Sequence, residues 1–409
     1  MNYNHATWLC CQLGAREHYA IPRALHQIRQ LKVLITDTWI NHHHPLNWLP
    51  KSYFANLRGR YHSELKNAPI KAFNESQIAW ELAKTKQNLY GWERIIVRNI
   101  WWQDQVLKKI KKYNLPDKNI TLFAYSYAAL KLFKYAKKRG WKIVLGQIDP
   151  GVIEEKIIYK ETQKHQHLQT MLSTIPHHYW TDWRQECNLA DRIIVNSNWS
   201  SQALQQTGIS SNKIKIIPLA YQASDTALKF KRTYPLQFSH QRPLKVLFLG
   251  QIIIRKGVAA ILEAIEILTN KAIEFWFVGK IQIKLPKTIK NNPKVKWIGA
   301  VSRNKTSLYY QQADVFLFPT HSDGFGLTQL EAQSWKLPLI TSQFCGEVVK
   351  DKINGLILPN ITGKAIAEAL TFCLNHPQKL SNFSHNSTEI LADFSLNKLA
   401  QELNNITND

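Results

Sequence analysis

Thirteen residues, Thr320 to Ala332, read THSDGFGLTQLEA and hold the densest set of chemically useful groups in the chain. An apolar run, Val315 to Pro319, leads into a polar turn in which Gly324 and Gly326 bracket Phe325, and a helical pattern follows. One carboxylate, Asp323, precedes the glycines; a second, Glu331, stands eight positions later. Glycines without side chains let backbone N–H groups approach a diphosphate or a hexose closely. A helix beginning near Phe325 adds unpaired N–H groups and a positive dipole end. Gly324, Phe325, Gly326 and Leu327 are therefore candidate backbone donors. Asp323 and Glu331 are candidate acceptors for hydroxyls of a sugar and a ribose. The bland alternative is a strand–turn–helix connection with solvated acids.

A second candidate lies upstream. The run KVLFLG ends at Gly250, and Arg255-Lys256-Gly257 opens a helical pattern. Two cations at the end of a strand suit a diphosphate, Arg255 as a fork and Lys256 as a point charge. Near the start, Gly14-Ala15-Arg16 follows an apolar run, a place where glycine is common for conformational reasons alone. GQIDPG (146–151) reads as an Asp-Pro-Gly turn.

These residues need elements to hold them. Strand and helix patterns alternate in both halves, which predicts α/β domains with parallel sheets covered by helices. Strands are expected at 7–13, 32–39, 121–127, 142–148, 192–197 and 213–219, then at 245–250, 274–279, 294–301, 315–319 and 338–341. Residues 41–120 read as a basic, mostly helical insertion within a first domain spanning 1–222. Residues 223–244 read as linker, 245–385 as a second domain, and 386–409 as a C-terminal helix packing back on the first domain. Ligands in such sheets bind outside the carboxyl ends of the strands, where the loops after Leu13, Leu249, Val278, Gly299 and Pro319 fall.

The 409 residues suffice for two full cores, and 44% hydrophobic with 20% charged residues is globular composition. Five cysteines without metal spacing suit a reduced cytoplasmic protein. No secretory signal or membrane span is legible. The histidines at 42–44 read as a solvated loop ahead of Pro45. The net charge of +24 favours anionic partners such as lipid headgroups, phosphorylated acceptors or nucleic acid. The first 222 residues hold 31 basic and 15 acidic residues. Residues 94–113 combine apolar positions at helical spacing with Lys108, Lys109, Lys111 and Lys112, so this helix is expected either to lie on anionic lipid or to pack on the core.

Taken together, these segments resemble the second domain of retaining glycosyltransferases with the GT-B fold, whose signature is Glu-x7-Glu around a glycine turn. Supporting stretches are QQADVFLFPT (311–320), LPLITS (337–342) and CGEVVKDKINGLIL (345–358), with ADRIIVNSNWSSQAL (190–204) and KIKIIPLAY (213–221) at the end of the first domain. The resemblance implies two Rossmann-like domains facing across a cleft and transfer of a hexose from a nucleotide-diphosphate sugar to an acceptor hydroxyl. It implies retention, no metal and no cofactor. The partners would be the donor and a glycan, lipid-linked or small-molecule acceptor, met in the cytoplasm or at the inner face of the membrane. Lys256 then contacts the diphosphate with Arg255 assisting, Glu331 holds the ribose, and Asp323 stands where a sugar-contacting Glu is usual. Gly250 closes the strand beside the donor, Val301 and Ser302 flank the base, and an Asn-Gly hairpin falls at 354–355. The resemblance also implies that Gly14 and Arg16 form an acceptor or phosphate loop, and that Asp149 is a polar, catalytic candidate near the reacting centre. Three positions depart from the pattern: Asp323 is one methylene short, Gln251 replaces a common Arg, and Ile148 replaces a His beside Asp149. Two other classes remain: a nucleic-acid-binding protein on a Rossmann-like scaffold, which charge supports but no recognition motif does, and a glycosyltransferase-like subunit without turnover.

Overall fold

The computed structural model describes residues 7–41, 60–87, 89–113, 115, 119–169 and 175–408. Seven strands form the first sheet: β1 (Thr7–Gln12), β2 (Leu31–Thr36), β3 (Ile70–Ala72), β4 (Ile120–Tyr125), β5 (Lys142–Gly146), β6 (Arg192–Val195) and β7 (Ile214–Ile216). They run in the order β3-β2-β1-β4-β5-β6-β7, and every pairing is parallel. Parallel strands with helices on both faces bury both sets of alternating side chains, so β1 and β4 are apolar almost throughout. Leu9, Cys11 and Leu122 face one core, while Trp8, Cys10 and Phe123 face the other.

The second sheet comprises β8 (Leu244–Leu249), β9 (Ile273–Val278), β10 (Val295–Gly299), β11 (Val315–Phe318), β12 (Leu339–Thr341) and β13 (Gly355–Ile357). Its order is β10-β9-β8-β11-β12-β13, again parallel throughout. Val246 and Phe248 pack into one core with Phe277 and Leu317; Leu247 and Leu249 face another with Phe316 and Phe318. Strand order reverses between β1 and β4 in the first sheet and between β8 and β11 in the second, so each has a crevice at the carboxyl ends of those strands.

Several elements differ from the sequence-based expectation. The described part of 41–120 contains helices Asn74–Lys86 and Gly91–Lys112, but also β3, whose three residues are too few to show a period. Residues 42–59, and the three histidines with them, lie outside the described residues. Trp102, Val106 and Ile110 of helix Gly91–Lys112 are buried in the core, whereas Ile100 on the same helix is 44% exposed.

Asn354-Gly355 does not turn a hairpin. The Asn354 amide is buried and donates to the Val348 carbonyl at 3.0 Å and to Gln333 Oε1 at 3.1 Å, and Gly355 opens β13, parallel to β12. Residues 223–244 are fastened to the second domain: Arg232 donates to the Tyr310 and Trp335 carbonyls, and Arg242 pairs with Asp314. The chain end forms two helices, Pro377–Ala392 and Leu396–Asn408, rather than one. Leu399, Leu403 and Ile406 of the second pack with Trp8 and Leu25 of the first domain.

Candidate active site

The two crevices share one cavity of about 430 Å³. From the loop after β8 come Gly250, Gln251, Arg255 and Lys256; from β11 and its turn come Phe318, Asp323, Phe325 and Gly326. Leu327 and Thr328 add the first turn of helix Leu327–Ser334. The first domain contributes Arg16 and Glu17 after β1, Ile148 after β5 and Asn196 after β6.

Glycine sets two of these approaches. Gly257 has φ 73°, and a Cβ there would lie 1.9 Å from the Pro319 carbonyl, so only glycine lets the Arg255-Lys256 turn sit against the end of β11. A Cβ on Gly324 would lie 2.3 Å from the Ile148 carbonyl, so the donor turn touches the first domain backbone to backbone. Ser197 Oγ reinforces that contact by donating to the Gly324 carbonyl at 2.8 Å.

Lys256 Nζ is ion-paired with Asp323 and lies 4.7 Å from the centre of the Phe318 ring. Burial, then the charge of Arg255, push this ammonium down to about 7. Arg255 Nη1 donates to the Ser322 carbonyl at 2.8 Å and lies 3.4 Å from Glu154 Oε2 and 3.8 Å from Asp323 Oδ2. Glu154 reaches across from the first domain and accepts from Ser322 Oγ at 2.9 Å; burial raises its carboxyl against the opposing charge of Arg255. Helix Leu327–Ser334 starts at Gly326 with no side-chain cap, which leaves its first N–H groups open toward the cavity. Two cations and one helix N-terminus therefore converge where a diphosphate would meet them.

Other candidates fall elsewhere. Glu331 lies one turn along the same helix face, beyond the cavity wall; Tyr310 donates to it at 2.9 Å, Arg303 sits 3.6 Å away, and burial raises it. Val301 and Ser302 sit after β10 and do not line the cavity; the Ser302 hydroxyl bonds Asn304. Gly14 does not line it either, and its N–H is taken by Asp37 at 3.0 Å.

Asp149 is the clearest displacement. Its Oδ1 accepts from Tyr127 Oη, from Gln147 Nε2 at 3.2 Å and from the Gly151 N–H at 2.9 Å, and the cavity wall is Ile148 instead. The Asp-Pro-Gly turn consumes the carboxylate that a place near the reacting centre would need. Tyr127, at φ 73°, is held by its N–H to buried Glu186, which also accepts from the Ala129 and Leu130 N–H groups.

Sequence reasoning misses Glu17 and Glu154. Glu17 heads three consecutive non-glycine residues at positive φ (51°, 52° and 59° for Glu17, His18 and Tyr19), a strained turn that presents its carboxyl to the cavity. Burial raises that carboxyl, and Tyr125 donates to it at 3.0 Å. Its only signal is its place beside Gly14-Ala15-Arg16. Glu154 has none, because it acts on a turn 168 residues away. Among the described residues no group of three His, Cys, Asp or Glu side chains could hold a metal ion.

Residues 235–390 match the model of the glycosyl transferases group 1 family. The second domain is similar to the group 1 glycosyltransferases. The capsular polysaccharide biosynthesis glycosyltransferase CapM of Staphylococcus aureus is 27% identical over 172 residues, 39% of this chain and 45% of CapM. The N,N'-diacetylbacillosaminyl-diphospho-undecaprenol α-1,3-N-acetylgalactosaminyltransferase of Campylobacter jejuni is 21% identical over 51% of this chain and 57% of its own length. The chain thus spans about half the length of the curated relatives it matches. Anabaena HepE in complex with UDP covers 98% of this chain and 99% of its own, with a TM-score of 0.63 at 14% identity. That likeness extends over both domains and gives the second domain its setting, a GT-B fold.

Proposed function

We propose that the protein transfers a hexose from a nucleotide-diphosphate sugar to an acceptor hydroxyl, with retention of configuration and without a metal. The observation that carries this reading is the convergence of Arg255, Lys256 and the uncapped start of helix Leu327–Ser334 on one cavity of about 430 Å³. That volume is within the roughly 300–1,000 Å³ usual for small-ligand sites. The UDP complex of HepE makes UDP the first base to test. The name of the Campylobacter relative supports a lipid-linked acceptor, and a glycan chain is the other class. We place the reaction in the cytoplasm or at the inner face of the membrane, a reducing setting that suits five unpaired, buried cysteines.

In this mechanism the bond between the anomeric carbon and the diphosphate oxygen breaks as the acceptor oxygen bonds the same face. The acceptor proton passes to the departing phosphate oxygen. Lys256, Arg255 and the helix N–H groups stabilise the charge that develops there, a fixed electrostatic contribution. Asp323 accepts from a sugar hydroxyl once the diphosphate has drawn Lys256 away, and Glu331 accepts from the ribose. Neither acts as a general acid, in contrast to the paired carboxylates of glycosidases.

A thermal-shift panel of UDP, GDP and ADP with their hexose derivatives tests the reading, since a ligand that binds the native state raises the melting temperature. One base should stabilise the protein, and Lys256→Ala should abolish the shift. No shift with any of them, together with no donor hydrolysis, would end it.

A further inference from the structure

A second cavity, of about 190 Å³, opens in the first domain beside the donor cleft; Arg16 and Ile148 line both. Helix Gly91–Lys112 supplies one wall through Trp92, Ile95, Arg98, Asn99 and Trp102, positions three or four apart that share one helix face. Tyr127 and Tyr179 form the other wall, stacked with ring centres 4.7 Å apart, and Trp92 meets the edge of Tyr179 at 5.1 Å. Ser126 closes the end beside Tyr127.

Three features of this cavity point to an anion. Arg98 Nε and Ser126 Oγ are buried without a hydrogen-bond partner, and both belong to lining residues. Buried polar groups left unpaired are uncommon, and here two of them belong to residues that line one cavity. No lining residue is a carboxylate, although Glu17 in the adjoining cleft acts on Arg16, and Asp37 and Glu81 act on Arg98. Asp37 and Glu81 are each ion-paired with another cation, Arg60 and Arg94, so neither is given over to Arg98. Arg98 is part-buried with its Nε unbonded, and an oxyanion placed beside it would supply the missing acceptor.

Resting on the glycosyltransferase reading, we propose that this cavity seats the acceptor, and that the acceptor carries an oxyanion, phosphate or carboxylate, beside a ring. The oxyanion meets Arg98 and Ser126, and the ring lies against Tyr127, Tyr179 and Trp92. The volume is below the usual range for whole ligands, roughly 300–1,000 Å³, so the cavity takes the charged end of the acceptor and leaves the remainder outside. Because Arg16 borders both cavities, the acceptor hydroxyl emerges toward the donor sugar.

The test titrates the full-length protein, saturated with UDP, with glucose 1-phosphate, glucuronic acid and glucose. Phosphatidylcholine vesicles with and without phosphatidic acid form a further arm. Saturating UDP keeps the soluble phosphate out of the donor cleft. At least one anionic probe should bind, and glucose should bind at least about tenfold more weakly. Arg98→Gln should weaken the anion by roughly ten- to a hundredfold, and Arg98→Lys should recover part of that. UDP, whose cavity Arg98 does not line, reports in parallel that each variant is folded. Arg98-dependent binding of the vesicles alone would assign the phosphate to a lipid; binding of the soluble probes would assign it to a sugar. Equal binding of glucose and the anions, an unaltered anion affinity in Arg98→Gln, or no binding of any anion would overturn the proposal. Failure of UDP to bind the unaltered protein would count against the donor reading instead, while Arg98-dependent anion binding would stand.

Discussion

Above a pH of about 7 the Lys256 ammonium, held down by burial and by Arg255, loses its proton in the empty cleft. A diphosphate placed against it favours the charged form, so the bound pKa lies above the free one. Donor binding then takes up a proton, and affinity is greatest below about pH 7 and falls as pH rises from the free pKa toward the bound one. The slope is at most about tenfold per unit. Calorimetry of UDP-glucose in buffers of different ionisation enthalpy measures this directly; zero proton uptake at pH 8 (~1 unit above the free pKa) would place Lys256 away from the phosphates. Lys256→Ala should lower kcat by roughly 10²–10³, the scale of one lost charge-stabilising donor. Asp323 competes with the donor for the same ammonium. Asp323→Asn should therefore bind UDP several-fold tighter, by about 1 kcal/mol, yet gain less from the attached hexose than the unaltered protein does. Equal weakening of UDP and UDP-glucose would mean that Asp323 serves only to position Lys256.

Glu186 links the elements around the acceptor-side cavity. Its carboxylate gathers the N–H groups of Tyr127, Ala129 and Leu130, so it fixes both the strained Tyr127 and the start of helix Leu130–Lys138. Burial raises this carboxyl to about 7 against those three hydrogen bonds. A carboxyl with a folded pKa above its unfolded one binds more protons when folded. Its contribution to stability is therefore greatest below the unfolded value of 4.5 and is lost as pH rises to about 7. Glu186→Gln turns a donor toward some of these N–H groups and should cost about 1–3 kcal/mol, read by denaturant unfolding. The difference between variant and parent should change across that pH window and be flat above it. Nothing in the run WRQEC marks Glu186, because its partners lie more than fifty residues away. The elements that could be read were those with a local signal: continuous apolar runs for β1, β4, β8 and β11, and glycine turns at 250–257 and 323–327. Of the four three-residue strands among the described residues, β7 and β12 were legible, whereas β3 lies in the stretch read as a helical insertion and β13 in the one read as an Asn-Gly hairpin. Asp149 illustrates the limit at a site: its Asp-Pro-Gly sequence is legible as a turn, but only tertiary contacts decide that the turn uses the carboxylate.

Over the whole molecule, the first domain meets the donor turn through contacts made by its own loops and helices. Ser197 and Ser200 bond the Gly324 carbonyl, Trp199 donates to Ser322 Oγ at 3.1 Å, and the Asn198 N–H meets Glu347 at 2.9 Å. The C-terminal helix Leu396–Asn408 ties back to the first domain, with Gln30 bonding Asn404 at 2.6 Å. Helix Gly91–Lys112, the most basic amphipathic segment, has Trp102, Val106 and Ile110 in the core, and among the described residues no helix is long and apolar enough to cross a membrane. The net charge of +24 attracts an anionic surface. Attraction of that kind decays over a Debye length, from about 10 Å at 0.1 M salt to about 3 Å at 1 M. The protein should pellet with phosphatidylglycerol vesicles at low salt, release as salt approaches 1 M (about one-third the screening length at 0.1 M), and ignore neutral phosphatidylcholine throughout. Replacing Lys108, Lys109, Lys111 and Lys112 with Gln should weaken pelleting while leaving UDP binding intact. Retention at high salt would instead mean an inserted apolar surface, which salt does not screen.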